Sequence, residues 1–356
     1  MSSFTDDVVR VVTRRPTMRD VASLARVGLK TVSRVVNGET GVSPELSDRV
    51  RRAIEELDFR VNIGASSLRR ADRKTRTIGL LLDDVANPFF SALHRAVEDV
   101  AVPRGFMVFS ASLDEDPARE RELTRIFSAR RADGLIIVPA GKDLGYLAGE
   151  LRAGTAIVCV DREARGLAAD SVVTTNAFGS CEGVLHLVAA GHRRIGFVGD
   201  RLGIVTADDR YEGYRDALRM SGLPLDEALV VHDAGDSQRA DAAVAALLGR
   251  PAGPPTALFT AQNLVTIGAV RALRRLGRQH DVALVGFDDF PLADLLDPGV
   301  TVVAQDPVEI GRRAASILFA RLTGEGGPIA THVVPTALIT RGSGECGPPE
   351  SARRLP

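Results

Sequence analysis

The residues best suited to bind a small molecule are polar side chains that directly follow apolar, strand-like runs. Any one of them alone has an ordinary alternative as a helix cap or turn residue. Ligands of parallel α/β sheets bind beyond the carboxyl ends of the strands, so several such side chains facing one cleft would form a site for a hydroxyl-rich molecule. The residues in question are Asp83, Ser112, Asp161, Asn263 and Asp288.

A second set of polar residues lies near the amino terminus, on one face of a short predicted helix. Val32 and Val36 are one turn apart and are expected to be buried, which leaves Lys30, Arg34 and Asn37 on the opposite face. Cationic and amide side chains of this kind contact phosphates and the edges of DNA bases. The pattern favours a DNA-contacting helix, and a small helical bundle without a nucleic-acid role is the alternative.

Capping signals place two helices around that face. Thr17 and Asp20 form a capping-box pattern before a helix of about Met18 to Ala25. Gly28 supplies a break before a second helix of about Leu29 to Asn37. The buried side of the first helix is predicted to consist of Val21, Leu24 and Ala25.

A third helix is predicted from Ser43 as its cap and Pro44 at its first position. Three short helices share one core, and the first two, joined by a tight turn, form a helix-turn-helix arrangement whose second helix fits the major groove. The apolar positions of the third helix are Leu46, Val50, Ile54 and Leu57.

The rest of the chain alternates apolar runs with helical patterns, as parallel sheets covered on both faces do. It is too long for one sheet of ordinary size, so we expect α/β architecture with two doubly wound parallel-sheet lobes. The apolar runs are "TIGLLL" (77–82), "FMVFSA" (106–111), "GLIIVP" (134–139), "AIVCV" (156–160), "IGFVG" (195–199), "TALFT" (256–260) and "VALVG" (282–286).

Charge is distributed unevenly along the chain. Residues 1–76 carry 16 Lys and Arg against 10 Asp and Glu, whereas the remainder carries 29 against 36. A basic head on an acidic body is typical of a nucleic-acid-binding domain attached to a domain that does not bind nucleic acid, although a solvated charged face is the simpler alternative. No run is long and apolar enough to span a membrane, and no secretory signal is evident, so we expect a cytoplasmic protein.

The sequence gives no sign of enzymatic chemistry, and no cofactor or metal is expected. The three cysteines, Cys159, Cys181 and Cys346, are scattered, which fits neither a disulfide framework nor a zinc site. Nucleophile-elbow, P-loop, zinc-protease and dinucleotide-binding motifs are absent from the sequence. Adjacent acids such as Asp288 and Asp289 diverge in direction and cannot flank one glycosidic bond.

The segments "MRDVASLARVGLKTVSRVVNG" and "VSPELSDRVRRAIEELDFRVNIGASSLRR" resemble the head and hinge of the LacI/GalR family of bacterial repressors, and the likeness continues through almost the whole chain. It implies a helix-turn-helix head and a two-lobed body of the type I periplasmic-binding-protein kind. It also implies three crossovers between the lobes, which we expect near Thr174, Ala304 and His332.

The same resemblance assigns DNA contacts. Leu29, Lys30 and Arg34 match positions that read base edges, and Arg34 would prefer guanine. Thr31, Ser33 and Asn37 match positions that contact the DNA backbone. In the hinge, which by composition alone is an ordinary linker, Asn62 begins the segment that orders on DNA, and Leu68 matches the leucine that wedges into the minor groove. Gly28 and Val61 depart from the family's usual serine and proline.

Effector contacts are implied in the body. The matching residues are Phe89, Phe90, Asp161, Thr206, Arg210, Asn263 and Asp288. Arg210 has a second interpretation as a helix-face arginine that pairs with Asp209 or Glu212. Gln262-Asn263 stands where the family usually has Asn-Asp, and an aromatic residue is replaced near Gly235, so the pocket is expected to be roomier or to stack less on a sugar.

These observations predict a homodimeric, sequence-specific transcription repressor that a sugar-like effector releases from palindromic operator DNA. Alternatives are a corepressor-dependent regulator that binds a purine or another non-sugar ligand, and a plain cytoplasmic binding protein. The predicted segments are a disordered extension (1–16), the helix-turn-helix domain (17–61), the hinge (62–76), the two-lobed effector-binding and dimerisation domain (77–342) and a flexible tail (343–356).

Overall fold

The computed structural model describes residues 14, 16–60, 74–251 and 253–349. The chain divides into two compact units, residues 1–75 and residues 76–356. Within the described residues, no helix is both long enough and apolar enough to cross a bilayer.

The first unit contains three helices, α1 (Met18–Leu24), α2 (Leu29–Val36) and α3 (Pro44–Glu56). The carboxylate of Asp20 accepts hydrogen bonds from the backbone N–H and the hydroxyl of Thr17, each at 2.7 Å. The hydroxyl of Ser43 accepts from the N–H of Leu46 at 3.4 Å. These caps satisfy amide groups that the first turn of a helix leaves without partners, and they are the ones that the sequence predicts.

The core of this unit is small and aliphatic. Val21, Val32 and Val50 have no exposed surface, and each comes from a different helix. Leu24 is 42% exposed, so the prediction that it is buried was wrong. The buried side of α1 consists of Val21, Ala22 and Ala25, whose small side chains let the helices approach closely, and Leu24 lies to one side of that face.

The second unit contains two six-stranded sheets, each with one lobe built around it. The first sheet has the order β11-β5-β4-β3-β1-β2 and is parallel throughout. Its strands are β1 (Thr77–Leu82), β2 (Met107–Ser112), β3 (Gly134–Ile137), β4 (Ala156–Val160), β5 (Asp170–Thr174) and β11 (Thr331–Val334).

The second sheet has the order β12-β10-β9-β8-β6-β7, and only its β10–β12 pair is antiparallel. Its strands are β6 (Ile195–Val198), β7 (Val230–Val231), β8 (Ala257–Thr260), β9 (Ala283–Phe287), β10 (Thr301–Ala304) and β12 (Ala337–Ile339). Two parallel-sheet lobes of this kind confirm the predicted fold class.

Helices cover both sheets and bury their apolar faces on them. The first lobe carries α4 (Pro88–Ala101), α5 (Pro117–Ala129), α6 (Ala148–Arg152) and α11 (Pro307–Thr323). The second lobe carries α7 (Asn176–Ala189), α8 (Val205–Met220), α9 (Ser237–Leu248) and α10 (Asn263–Arg275).

The chain passes between the lobes three times, after Thr174, after Ala304 and after Val334. The first two positions are those predicted, and the third lies two residues beyond His332. The N–H of Thr336 donates to the hydroxyl of Thr175 at 3.0 Å, which ties the first crossover to the third.

The segment after residue 342 packs against the second lobe. Ser343 is 3% exposed and donates its hydroxyl to the carbonyl of Leu284 at 2.6 Å. The imidazole of His192, which is fully buried, lies 2.7 Å from the carbonyl of Cys346 and 2.9 Å from the hydroxyl of Thr256. His192 is therefore a structural residue, and residues 343–349 are part of the lobe rather than the flexible tail expected there.

Candidate functional site

A cavity lies between the two lobes of the second unit and has about 500 Å³ of empty space, part of it open solvent. Its walls are formed where strands of both sheets end. Asp83, Asp161 and Asp288 follow β1, β4 and β9, and Asp200 follows β6 after one glycine. This is the edge of a parallel sheet at which ligands of open α/β folds bind.

Six of the seven residues assigned to the effector lie around this cavity. They are Phe89, Phe90, Asp161, Thr206, Arg210 and Asp288.

Asn263 does not line the cavity, contrary to the prediction. Its side chain is fully buried and bonds to Asn87 of the first lobe. Gln262, one residue earlier, faces the cavity instead. Asn263 is the first residue of α10, and its side chain points toward the start of α4, where Asn87 is the cap residue.

Arg210 is held by three polar partners inside the cavity wall. Its Nε donates to Oδ1 of Asn176 at 2.8 Å, and its Nη1 donates to the carbonyl of Ala261 at 2.8 Å and lies 3.3 Å from Oδ2 of Asp288. The guanidinium carbon lies 3.9 Å from the ring centroid of Phe287. These contacts replace the alternative pairing of Arg210 along its own helix.

Asp161 and Asp288 occupy equivalent places in the two lobes. Each directly follows a strand, has φ of +67° and is 6% exposed. Each donates its backbone N–H at 2.9 Å to the neighbouring strand, to the carbonyl of Val172 or of Val303. The left-handed backbone turns each carboxylate out of the strand line and into the cavity.

Different partners hold these two carboxylates. Asp288 accepts a hydrogen bond from Nε2 of Gln305 at 2.6 Å in addition to its ion pair with Arg210. Asp161 has an ion-pair contact with Nε of Arg162 at 3.5 Å. Burial raises the pKa of Asp161 above its ordinary value, against the opposing effect of Arg162 and Arg210.

Glu115 and Arg162 form an ion pair in the wall of the first lobe that sequence reasoning missed. Nη1 of Arg162 donates to Oε2 of Glu115 at 2.8 Å, and Nη2 donates to Oε1. The same Nη1 donates to the carbonyl of Pro139 at 2.8 Å. Burial, with the nearby charge of Glu115, raises the pKa of Asp83 to about 7. The only hint of the Glu115–Arg162 pair in the sequence is that Arg162 directly follows Asp161, a predicted site residue.

The corner of the cavity formed by Asp200 and Gly235 also differs from the prediction that the pocket is roomier there. A Cβ on Gly235 would lie 2.5 Å from Oδ1 of Asp200, so the carboxylate fills the space that a side chain there would need. The pocket is therefore not roomier at Gly235. Nε2 of Gln262 donates to Oδ2 of Asp200 at 3.2 Å, and burial raises the pKa of Asp200.

In the first unit, the predicted polar face of α2 is partly exposed, and Val36, which was predicted to be buried, is only half-buried against the core. Leu29 is 44% exposed, Lys30 and Asn37 are exposed, and Val32 is buried on the opposite side. Thr31, Ser33 and Arg34 are half-buried on the same short helix.

The predicted hinge contacts, Asn62 and Leu68, lie outside the described residues. A contact that the sequence did not suggest joins α3 to the end of α1, where Nη2 of Arg49 donates to the carbonyl of Ala25 at 2.6 Å.

Comparison with known protein families gives two matches. A model described as bacterial regulatory proteins, lacI family, matches residues 17–62, and one described as a periplasmic binding protein-like domain matches residues 184–344. These ranges fall on the helix-turn-helix unit and on the two-lobed unit.

Individual relatives extend over most of the chain. The HTH-type transcriptional regulator CelR of Thermobifida fusca is 34% identical over 93% of this chain and 99% of its own length. The ribose operon repressor of Haemophilus influenzae is 30% identical over 92% of this chain and 98% of its own. A solved transcriptional regulator CelR–cellobiose complex superposes with a TM-score of 0.67 and 32% identity, covering 92% of this chain and 100% of that one. The chain is a DNA-binding transcription regulator and belongs to the lacI family of bacterial regulatory proteins.

Proposed function

We propose that this regulator represses transcription as a homodimer bound to a palindromic operator, and that a sugar or sugar derivative in the cavity between the lobes releases it. The observation that carries the proposal is the convergence of Asp161 and Asp288, at equivalent strand ends of the two lobes, on one cavity with Arg210. A ligand that touches both lobes changes the relative stability of their arrangements.

The polar lining suits a ligand with many hydroxyl groups. Carboxylates accept hydrogen bonds from hydroxyls, and the guanidinium of Arg210 supplies donors fixed in direction by Asn176 and Asp288. Phe89 and Phe90 add an apolar wall, with ring centroids 5.1 Å apart. The related regulator CelR is solved with cellobiose, which supports a sugar as the class of effector. This lining acts in recognition, and we propose no catalytic step.

The polar face of α2 serves as the DNA-reading surface in this proposal. Leu29, Lys30 and Arg34 contact base edges in the major groove, and Thr31, Ser33 and Asn37 contact the DNA backbone. Asn62 and Leu68 act in the hinge, with Leu68 inserted in the minor groove. Two heads related by dimer symmetry bind two half-sites of the operator.

Release follows from linkage between the two sites. The effector binds the DNA-free arrangement of the lobes more tightly than the DNA-bound one, and operator DNA therefore weakens effector binding by the same factor.

The test is selection of DNA from a random pool by the purified protein, followed by fluorescence anisotropy of the selected sequence in a salt series and with a panel of sugars, nucleosides and sugar phosphates. We expect a palindromic sequence whose binding one sugar weakens. A compound that tightens binding would instead make the protein a corepressor-dependent regulator. Failure to select any sequence, with binding lost at modest salt, would contradict the DNA-reading role of α2.

A further inference from the structure

The cavity lining contains more carboxyl groups than cationic groups. Its lining includes five carboxylates, Asp83, Glu115, Asp161, Asp200 and Asp288, and two guanidiniums, Arg162 and Arg210.

Both guanidiniums are already engaged. Arg162 forms a bidentate ion pair with Glu115 and a longer contact with Asp161, and Arg210 pairs with Asp288. Within the described part of the chain, Asp83 and Asp200 have no cationic nitrogen within the 4.0 Å of an ion pair.

Asp83 and Asp200 both interact electrostatically with Glu115. Oδ1 of Asp83 accepts the backbone N–H of Glu115 at 2.8 Å. Burial, and after it the charge of Glu115, raises the pKa of both aspartates. Arg201 donates its backbone N–H to Asp200 at 2.6 Å, while its guanidinium lies 3.5 Å from the carbonyl of Glu115. Arg201 therefore offsets only part of the negative charge at this corner of the cavity.

Two further groups mark the cavity as built for a ligand. Within the described residues, Oε1 of Gln305 is buried without a hydrogen-bond partner, and Gln305 is 8% exposed. The carboxylate of Asp161, whose side chain is 6% exposed, receives no hydrogen bond there and has only the 3.5 Å contact with Arg162. A bound molecule would supply the donors that Asp161 lacks.

Gly235 shapes this corner for a carboxylate. Because a Cβ at position 235 would lie within 3 Å of both carboxylate oxygens of Asp200, only glycine leaves the carboxylate in place. A neutral ligand that displaced water here would leave the ionised carboxylate of Asp200 buried without a cation, which is unfavourable, whereas an ammonium group would pair with it.

We propose that the effector carries a positively charged amino group and that Asp200 binds this group beside Gly235. The effector class is a hydroxylated primary amine, such as an amino sugar. This inference rests on the proposed function of the cavity as the site of a hydroxylated effector. The hydroxyl groups then face Asp161, Arg210 and Gln305.

The test is isothermal titration calorimetry of the full-length protein near neutral pH with D-glucosamine, D-galactosamine and D-mannosamine, each beside its parent sugar and its N-acetyl derivative. We expect at least one amino sugar to bind about tenfold or more tightly than both neutral counterparts. If parent sugars bind as tightly as the amines, or if only parents bind, the inference is wrong and the proposed function stands. If no compound in any set binds, the inference is contradicted, and the operator-release panel decides the proposed function separately.

Variants at the corner locate the amino group. D200N retains the shape of the side chain and removes its charge, so the preference for the amine should fall about tenfold while binding of the parent sugar is retained. G235A should have the same effect by displacing the carboxylate, and it keeps the test available if D200N folds poorly.

D281N is the matched control because Asp281 lies in the same lobe, its side chain is 61% exposed and it pairs with Arg278. It should keep the full preference for the amine. An unchanged preference in both D200N and G235A would overturn the assignment of this corner.

Discussion

Asn87 and Asn263 join the two lobes through a reciprocal pair of hydrogen bonds. Nδ2 of Asn263 donates to Oδ1 of Asn87 at 2.8 Å, and Nδ2 of Asn87 donates to Oδ1 of Asn263 at 3.2 Å. The backbone N–H of Phe89 and that of Leu264 each donate to one of these amide oxygens, so neighbouring helix ends orient both amides. Both residues are buried.

A double-mutant cycle with N87A and N263A should reveal coupling between these residues. Each single substitution leaves a buried amide without its partner and should lower the free energy of unfolding by about 1–3 kcal/mol. The double variant should lose less than the sum, with a coupling of about 0.5–3 kcal/mol measured by urea unfolding. N87A combined with D236A, which removes the separate cap of α9, should be additive. Coupling no larger than in that control pair would contradict the cross-lobe interaction.

Effector recognition should depend on Arg210 and Asp288. Removing either partner of this buried pair leaves the other uncompensated in the cavity, so R210A and D288A should each weaken effector binding by about tenfold or more while operator binding persists. The measurement is the effector-induced change in operator Kd by anisotropy, with thermal unfolding as a check on folding.

R215A is the control for this prediction because Arg215 lies on the same helix with its side chain 48% exposed. Its response to the effector should equal that of the wild type. Retention of the full response in both R210A and D288A would show that these residues do not bind the effector.

Arg34 should contribute to sequence recognition. R34A is expected to cost about 1–3 kcal/mol of binding free energy on the selected operator and less on nonspecific DNA. R51A removes an equal charge from α3, where the Arg51 side chain is 67% exposed, and should leave specificity unchanged. Equal losses on both DNAs for R34A would indicate a phosphate contact instead of base reading.

The carboxyl of Asp83 should make stability depend on pH. Its pKa rises from an ordinary 3.8 to about 7 in the folded protein, through burial and the charge of Glu115, with Arg162 opposing. Between pKa values of 3.8 and about 7, Asp83 is ionised in the unfolded chain but still protonated in the folded protein. Its stabilising contribution to the free energy of unfolding is therefore complete below the unfolded-state pKa and is lost as pH rises through the folded-state pKa.

D83N removes this titration and should therefore stabilise the protein more at about pH 8 than at about pH 5. Urea unfolding of the wild type and D83N across this range measures the difference, and D84N serves as a neighbouring control because Asp84 does not line the cavity. A gain that is constant with pH would contradict the raised pKa.

The sequence predicts the central strands of both sheets, and the strands it misses lie at a sheet edge or next to one. Continuous apolar runs placed β1, β4 and β9 within one residue of their ends. The missed strands were β5, β7, β10, β11 and β12. β5 begins with Asp170, whose carboxylate is buried because Arg321 donates to it at 2.8 Å and 3.0 Å. A partner so distant in sequence cannot be read from local hydrophobicity.

The candidate site was predictable to the extent that it follows strand ends. Asp83, Asp161 and Asp288 were identified because a polar residue after a buried strand has few other places to point. Glu115 was missed because it lies in a loop and gains its role only from Arg162. Asn263 was misplaced because consecutive side chains at the start of a helix point in different directions. Gln262 faces the cavity, whereas the next residue, Asn263, points into the interior.

The three crossovers impose an order on biosynthesis. The core of the first lobe includes Ile310 and Leu318 of α11 and Val334 of β11, which pairs with β5. The ribosome makes these residues only after the whole of the second sheet except β12. A nascent chain ending at residue 304 would thus leave α4 and the edge of β5 uncovered, so the lobe begun first is completed late, and until then its apolar surface is open to chaperones.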